Sequence, residues 1–173
     1  MIVATMLVVV TLSVTGIYGL LSDKKTKVNE ITVGGSNIET VERYEPPKKL
    51  EPGISFPKEV SILNHGPSNC FIRIKAVFTD SDMEKLCTID YNTKDWIYDA
   101  NDGYYYYKKA LKKGEQTEKL FTTVTIKDTA KQDELKDFDI LVYAESFQQG
   151  TFQETEYEEA WDLFEKNSKD SQH

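Results

Sequence analysis

Histidine is scarce in this sequence: there are two in 173 residues, His65 in an Asn-His-Gly-Pro loop and His173 as the last residue. With so few, and with no HExxH, a histidine-based zinc hydrolase has no ligand set. Cysteine is as sparse, with Cys70 and Cys87 alone. The absence of CxxC removes zinc ribbons and thioredoxin-like redox chemistry. GxSxG, GxxxxGK[ST] and GxGxxG are missing as well, so hydrolase elbows and phosphate-cradling loops lack their signatures. The acids between Glu154 and Glu165 lack the DxDxDG spacing of a calcium loop and read as a solvated helix face. No cofactor or metal is expected, and the chain does not read as an enzyme. Grouped positive charge is also lacking. The pairs Lys24–Lys25, Lys48–Lys49, Lys108–Lys109 and Lys112–Lys113 are embedded among acids in a chain of net charge −8. Phosphate neutralisation needs clustered Lys and Arg, so nucleic acid is excluded as a partner.

What remains is the composition of one well-cored domain. Apolar residues make up 39% and aromatics 12%, with five prolines and nine glycines punctuating short segments. Ile2 to Leu21, IVATMLVVVTLSVTGIYGLL, carries no charge. Its length suits a signal peptide or a single spanning helix. The polar stop Asp23-Lys24-Lys25-Thr26-Lys27 follows, and lysines on that side disfavour an uncleaved anchor holding the domain outside. Export with cleavage near Gly19–Leu20 is therefore the leading reading. A membrane association, if kept, would run only through the uncleaved N-terminus.

The chain then divides as 22–36, an N-terminal segment; 37–167, the domain; and 168–173, a tail. Val28 to Val33 alternates, Gly34-Gly35-Ser36 turns, and Asn37 to Tyr44 resumes, which predicts a hairpin. Ile54, Phe56, Val60 and Ile62 share a face that is broken at Lys58. CFIRIKAVF gives the clearest strand, with Cys70, Ile72, Ile74, Ala76 and Phe78 on one side and Phe71, Arg73, Lys75 and Val77 on the other. Arg73 and Lys75 are placed to meet acids across a neighbouring strand. Asn101-Asp102-Gly103 marks a hairpin between WIYD and YYYYKK. LFTTVTI and FDILVYAESF complete the long strands, with a short helix expected over 129–136 between them. Thr155 and Glu158 form a capping box before an amphipathic helix whose stripe is Tyr157, Ala160, Trp161 and Phe164. Short strands with frequent turns, and helices that do not alternate with them, indicate an all-β sandwich with small helical insertions and a C-terminal helix.

Two pairs of readings stay open at this level. Cys70 and Cys87 either form a disulfide, closing a loop worth about 3 kcal/mol, or are buried thiols. Tyr104, Tyr105, Tyr106 and Tyr107 either pack two inward and two over the sheet edge or, with Trp96, form an exposed contact face for a protein or glycan. A Cys70 nucleophile activated by His65 is disfavoured, because Cys70 lies on an inward face.

Taken in order, TGIYGLLSD, VNEITVGGSNIETVE, the EPG turn with the strand to LNHGPSNCFIRIKAVF, DGYYYYKKALKKGEQTEKLFTTVTI, and LVYAESFQ before an AW-containing helix resemble the TasA/camelysin family of Gram-positive exported proteins. The resemblance spans nearly the whole chain. It implies a jelly-roll sandwich, secretion through a dedicated signal peptidase, and residence at the cell surface or in the biofilm matrix. It also implies assembly with copies of itself or a related matrix subunit, as an extracellular fibre-forming or accessory subunit. The released N-terminal segment, with Val28, Ile31 and Val33, would be the donor strand. Camelysin is classed as a metallopeptidase, but no zinc set stands here to carry that activity over. A monomeric surface binding module is the alternative.

Overall fold

The alternation of CFIRIKAVF sets the architecture. One face, Cys70 to Phe78 at every second residue, is wholly apolar and needs an apolar layer, while the other mixes Phe71 and Val77 with Arg73 and Lys75. In the computed structural model, residues 29–32, 37–150 and 157–170 are described. The strands are β1 (Asn29–Thr32), β2 (Ile38–Tyr44), β3 (Ser55–Asn64), β4 (Cys70–Phe78), β5 (Cys87–Ile89), β6 (Trp96–Asp99), β7 (Tyr104–Tyr107), β8 (Phe121–Ile126) and β9 (Ile140–Gln148). Helix α1 (Ser81–Leu86) follows β4, and α2 (Tyr157–Asp170) follows β9.

The strands form an all-β sandwich of two sheets, ordered β1-β9-β4-β7-β6 and β2-β3-β8-β5. Between them lies a core in which Cys70, Ile72 and Ile74 of β4 and Val142 and Ala144 of β9 meet Ile38, Val60, Ile62 and Phe121 from the opposite sheet. A second cluster, with Phe56, Met83, Cys87, Val124, Ile126 and Ile140, packs under α1 and the neighbouring loops. Each fully buried aliphatic or aromatic side chain contributes about 1.5–3 kcal/mol, so these layers hold the sheets together. The outer face of β4 is not left to solvent. Phe71, Tyr106 and Phe147 pack against Ala160 and Trp161 of α2.

Several local expectations are changed by tertiary pairing. The predicted hairpin between the segments around Ile31 and Val41 does not form, because β1 and β2 lie in different sheets. β2 finds a seven-residue antiparallel partner in β3, Ile38↔Asn64 through Tyr44↔Lys58, while β1 joins an edge of β9 that no other described strand pairs. Lys58 does not interrupt the buried face of β3 but belongs to it. It is 2% exposed, contacts the Glu42 carboxylate, and lies 4.9 Å from the Tyr44 ring centre. The β3–β8 register shifts between Pro57 and Val60, the local mark of a bulge.

The expected helix over 129–136 contracts to a 3-10 turn at Gln132–Glu134. Helix α2 continues to Asp170, beyond the expected tail boundary at 168. Helix α1 starts at Ser81 because the Asp80 carboxylate accepts the N–H groups of Asp82 and Met83 as its N-cap. The 1–21 segment, Gly19, Leu20, Val28, Val33, Thr155 and His173 lie outside the described residues.

Candidate functional site

The first feature of interest is the β9 edge. β9 pairs along its length with β4 on one side, from Cys70↔Gln148 to Phe78↔Ile140. On the other side its partner among the described residues is β1, in parallel register from Asn29↔Tyr143 to Thr32↔Ser146, with Ile31 opposite Glu145. The other strand pairings among the described residues are antiparallel. Without β1, this edge would present a row of unpaired backbone donors and acceptors, the template for strand addition.

The second feature is built on Arg73. Strand alternation turns its side chain outward, and the β4–β9 register places it opposite Glu145. Its Nε donates to Glu145 Oε2 at 2.8 Å and its NH1 to Glu165 Oε1 at 2.7 Å and Tyr106 Oη at 3.1 Å. The guanidinium carbon lies 4.4 Å from the Tyr104 ring centre and 4.3 Å from that of Trp161. Burial works against the charged guanidinium, but the hydrogen bonds it donates to Glu165, Glu145 and Tyr106 outweigh it and hold its pKa above the usual arginine range. Tyr104 Oη donates to Glu145 Oε1 at 2.7 Å, and Tyr106 Oη donates to Asp102. Burial, then the bond to Glu145, pushes the Tyr104 phenol up to about 12. Both phenols therefore stay neutral donors at physiological pH.

Beside this cluster, a cleft of about 530 Å³ opens between the β6–β7 hairpin and α2. Asp99 and Asp102 come from the hairpin, Glu158, Asp162 and Glu165 from the helix, and Tyr98, Tyr106, Tyr157 and Trp161 supply aromatic wall. The hairpin loop is pinned by Gly103 at φ +77°, by its N–H to Asp99 O at 2.9 Å, and by Asn101 N–H to Asp99 Oδ1 at 2.8 Å.

The tyrosine run divides as strand geometry requires. Tyr105 and Tyr107 face the sandwich core, whereas Tyr104 and Tyr106 face α2. The contact face proposed with Trp96 is corrected accordingly. Trp96 is 1% exposed inside the core, its indole N–H donates to Glu118 O at 3.0 Å, and Tyr107 is 2% exposed beside it. The large apolar surface actually exposed here is Ile97 and Tyr98. The disulfide is corrected too: Cys70 and Cys87 are free, buried, and in different clusters. Burial pushes the Cys70 thiol up to about 12 and the Cys87 thiol up to about 11. His65 pairs with Glu39 rather than with Cys70.

Sequence reading placed Arg73 on the outer face and Trp161 on a stripe, but not together. The available signal was Tyr157, Trp161 and Glu165 at four-residue spacing, which puts an acid on the buried side of the helix. Among the described residues no group of His, Cys, Asp and Glu is placed to hold a metal, and no helix is long and apolar enough to cross a membrane. The class defined is an all-β sandwich with one parallel edge strand and a helix-covered outer face. Comparison with protein-family models, curated proteins and solved structures gives no match.

Proposed function

We propose that the chain is an exported structural protein of the cell surface or biofilm matrix, of the TasA/camelysin kind, that assembles by donating its N-terminal strand. The observation that carries this reading is β1, a short segment next to the candidate export signal, which is the one partner of that β9 edge among the described residues. Four residues on an edge make only a few backbone hydrogen bonds, each worth about 1 kcal/mol net. The same segment from a second copy can therefore compete for that edge, with backbone bonds giving affinity and alternate side chains giving register. A head-to-tail contact of this kind does not close on itself, so it extends into a filament.

Strand order supports the finer reading of a jelly roll. β3 pairs with β8 and β4 with β7, nested around the short β5 and β6, as in a hairpin rolled into two sheets. Signal peptidase and other copies of the chain, or a related matrix subunit, are the partners this function requires. Catalysis has no part in it.

Electron microscopy of the processed protein beside a form lacking residues Leu20 to Gly34 tests the proposal. Filaments are expected only with the segment present; filaments from the shortened form would overturn strand donation. The second reading, a surface binding module, is favoured by a separate observation, the acidic aromatic cleft at the far edge of the same sheet.

A further inference from the structure

We infer that Tyr98 and Tyr105 form a site of oxidative cross-linking, where a one-electron oxidant of the peroxidase class joins the two rings carbon to carbon. The β6–β7 register sets Tyr98 directly opposite Tyr105. Directly opposed side chains on paired strands start from Cβ atoms about 5 Å apart. Here the rings stay together: their centres lie 4.8 Å apart, with the planes inclined at 40°. Tyr91 completes a column of three, 4.3 Å from Tyr105 and inclined at 20° to it. The near-parallel Tyr91 ring meets Tyr105 through its face, whereas the tilted Tyr98 ring turns an edge toward it. New carbon–carbon bonds between phenols form at that edge, beside the hydroxyl.

Exposure selects the same pair. Tyr98 is 53% exposed, and it is the one exposed tyrosine among the described residues. It stands on β6, the last strand of its sheet, where an oxidant can reach it. Tyr104 and Tyr106 are committed to Glu145 and Asp102 on the side that α2 covers, and Tyr107 is 2% exposed in the core. Tyr105 is half-buried, so its electron leaves through the ring of Tyr98. Burial pushes its phenol up to about 12, so it is protonated at neutral pH and gives up its proton only with that electron.

The step balances with hydrogen peroxide as the terminal oxidant. Each phenol loses one electron to the oxidant and one proton to water, which leaves two phenoxyl radicals. The carbons ortho to the two oxygens then form a bond, and the hydrogen on each carbon shifts to its oxygen, restoring both hydroxyls. The two hydrogens removed reduce one peroxide to two waters. Neighbours held in contact reach effective concentrations far above those of separate molecules, so the product is an internal link that ties the edge strand to β7. Neither export nor filament assembly is needed for it.

The test treats the whole chain with a haem peroxidase and hydrogen peroxide, then digests it on the N-terminal side of aspartate. Asp99 and Asp102 separate the two tyrosines, so mass spectrometry should find 95–98 joined to 102–127 and lighter than their sum by two hydrogens. The treated protein should remain a monomer and gain the blue fluorescence of a biphenol. Y98F and Y105F should each abolish the joined peptide with an unchanged circular dichroism spectrum, whereas Y91F, which keeps the ring column, should retain it. A joined peptide that persists in Y98F or Y105F, its loss in Y91F, a covalent dimer as the main product, or no joined peptide at all would each overturn the assignment.

Discussion

At the scale of single residues, Arg73 joins elements that are distant in sequence. It holds Glu145 of β9 and Glu165 of α2 while its guanidinium carbon lies 4.4 Å from the Tyr104 ring centre and 4.3 Å from that of Trp161. Its side chain is 12% exposed and that of Glu145 15%, so removing one partner strands the other in a poorly solvated position. R73A should cost about 3–5 kcal/mol in denaturant unfolding, and R73A/E145L should recover part of that loss by removing the orphaned carboxylate. The cysteines give a second residue-scale expectation. Both are buried thiols with raised pKa, so a thiol-reactive chromophore should label neither in the native protein and both after denaturation. Protection without later labelling would mean a disulfide. The outward direction of Arg73 was readable from strand alternation alone. Its partners were not, since Glu145 is set by a long-range register and Glu165 by how the helix docks.

At the scale of elements, strand existence followed from alternation, but strand pairing did not. The segments on either side of Gly34–Gly35 looked like hairpin partners because turn residues and alternation are local signals. Sheet membership depends instead on which edges the rest of the chain leaves open, and β9 left one. Lys58 makes the same point inside β3: a lysine reads as a break in an apolar face, yet it is buried against Glu42 of β2. K58M alone should destabilise by about 3–5 kcal/mol because it leaves Glu42 unpaired, whereas E42L/K58M should return to within about 1 kcal/mol of the parent. Thermal or denaturant unfolding of the three proteins reads this directly. If K58M is neutral by itself, the ion pair does not hold β2 to β3.

For the whole molecule, acid is the condition that should separate stable from unstable. Asp80 is held below the usual carboxylate range by the N–H groups of Met83 and Asp82, and Glu59 by its bond to Lys119. For Asp90, burial pushes up, but the Thr122 hydroxyl and the N–H groups of Thr122 and Thr123 outweigh it and leave the value lowered. A carboxylate with a lowered folded pKa contributes stability that is fully present above its unfolded value, about 4, and is lost as pH falls through the folded one. Unfolding midpoints should hold steady from neutral pH to about 5 and drop below about 4, and D80N/D90N should flatten that drop. All three groups are exposed enough that solvent keeps the effect modest. The sandwich was legible at this scale because its inner faces must alternate. The acidic cleft was not, because its two sides come from a hairpin and a helix that meet only when α2 folds back across the sheet.

The place of β1 also fixes an order of events. Its hydrogen-bonding partner, β9, is the last strand in the sequence, whereas β2 needs only β3, the next strand along. A chain that emerges from a membrane N-terminus first exposes β1 early and completes β9 late. Closing so long a loop is slow compared with forming neighbouring pairs. β1 is thus the first strand made and among the last to be seated. For that interval the backbone groups that β1 will pair with β9 are unclaimed. Under the proposed strand donation, whether β1 ends on its own sheet or on a neighbour's would be a race, decided by how crowded the exit site is.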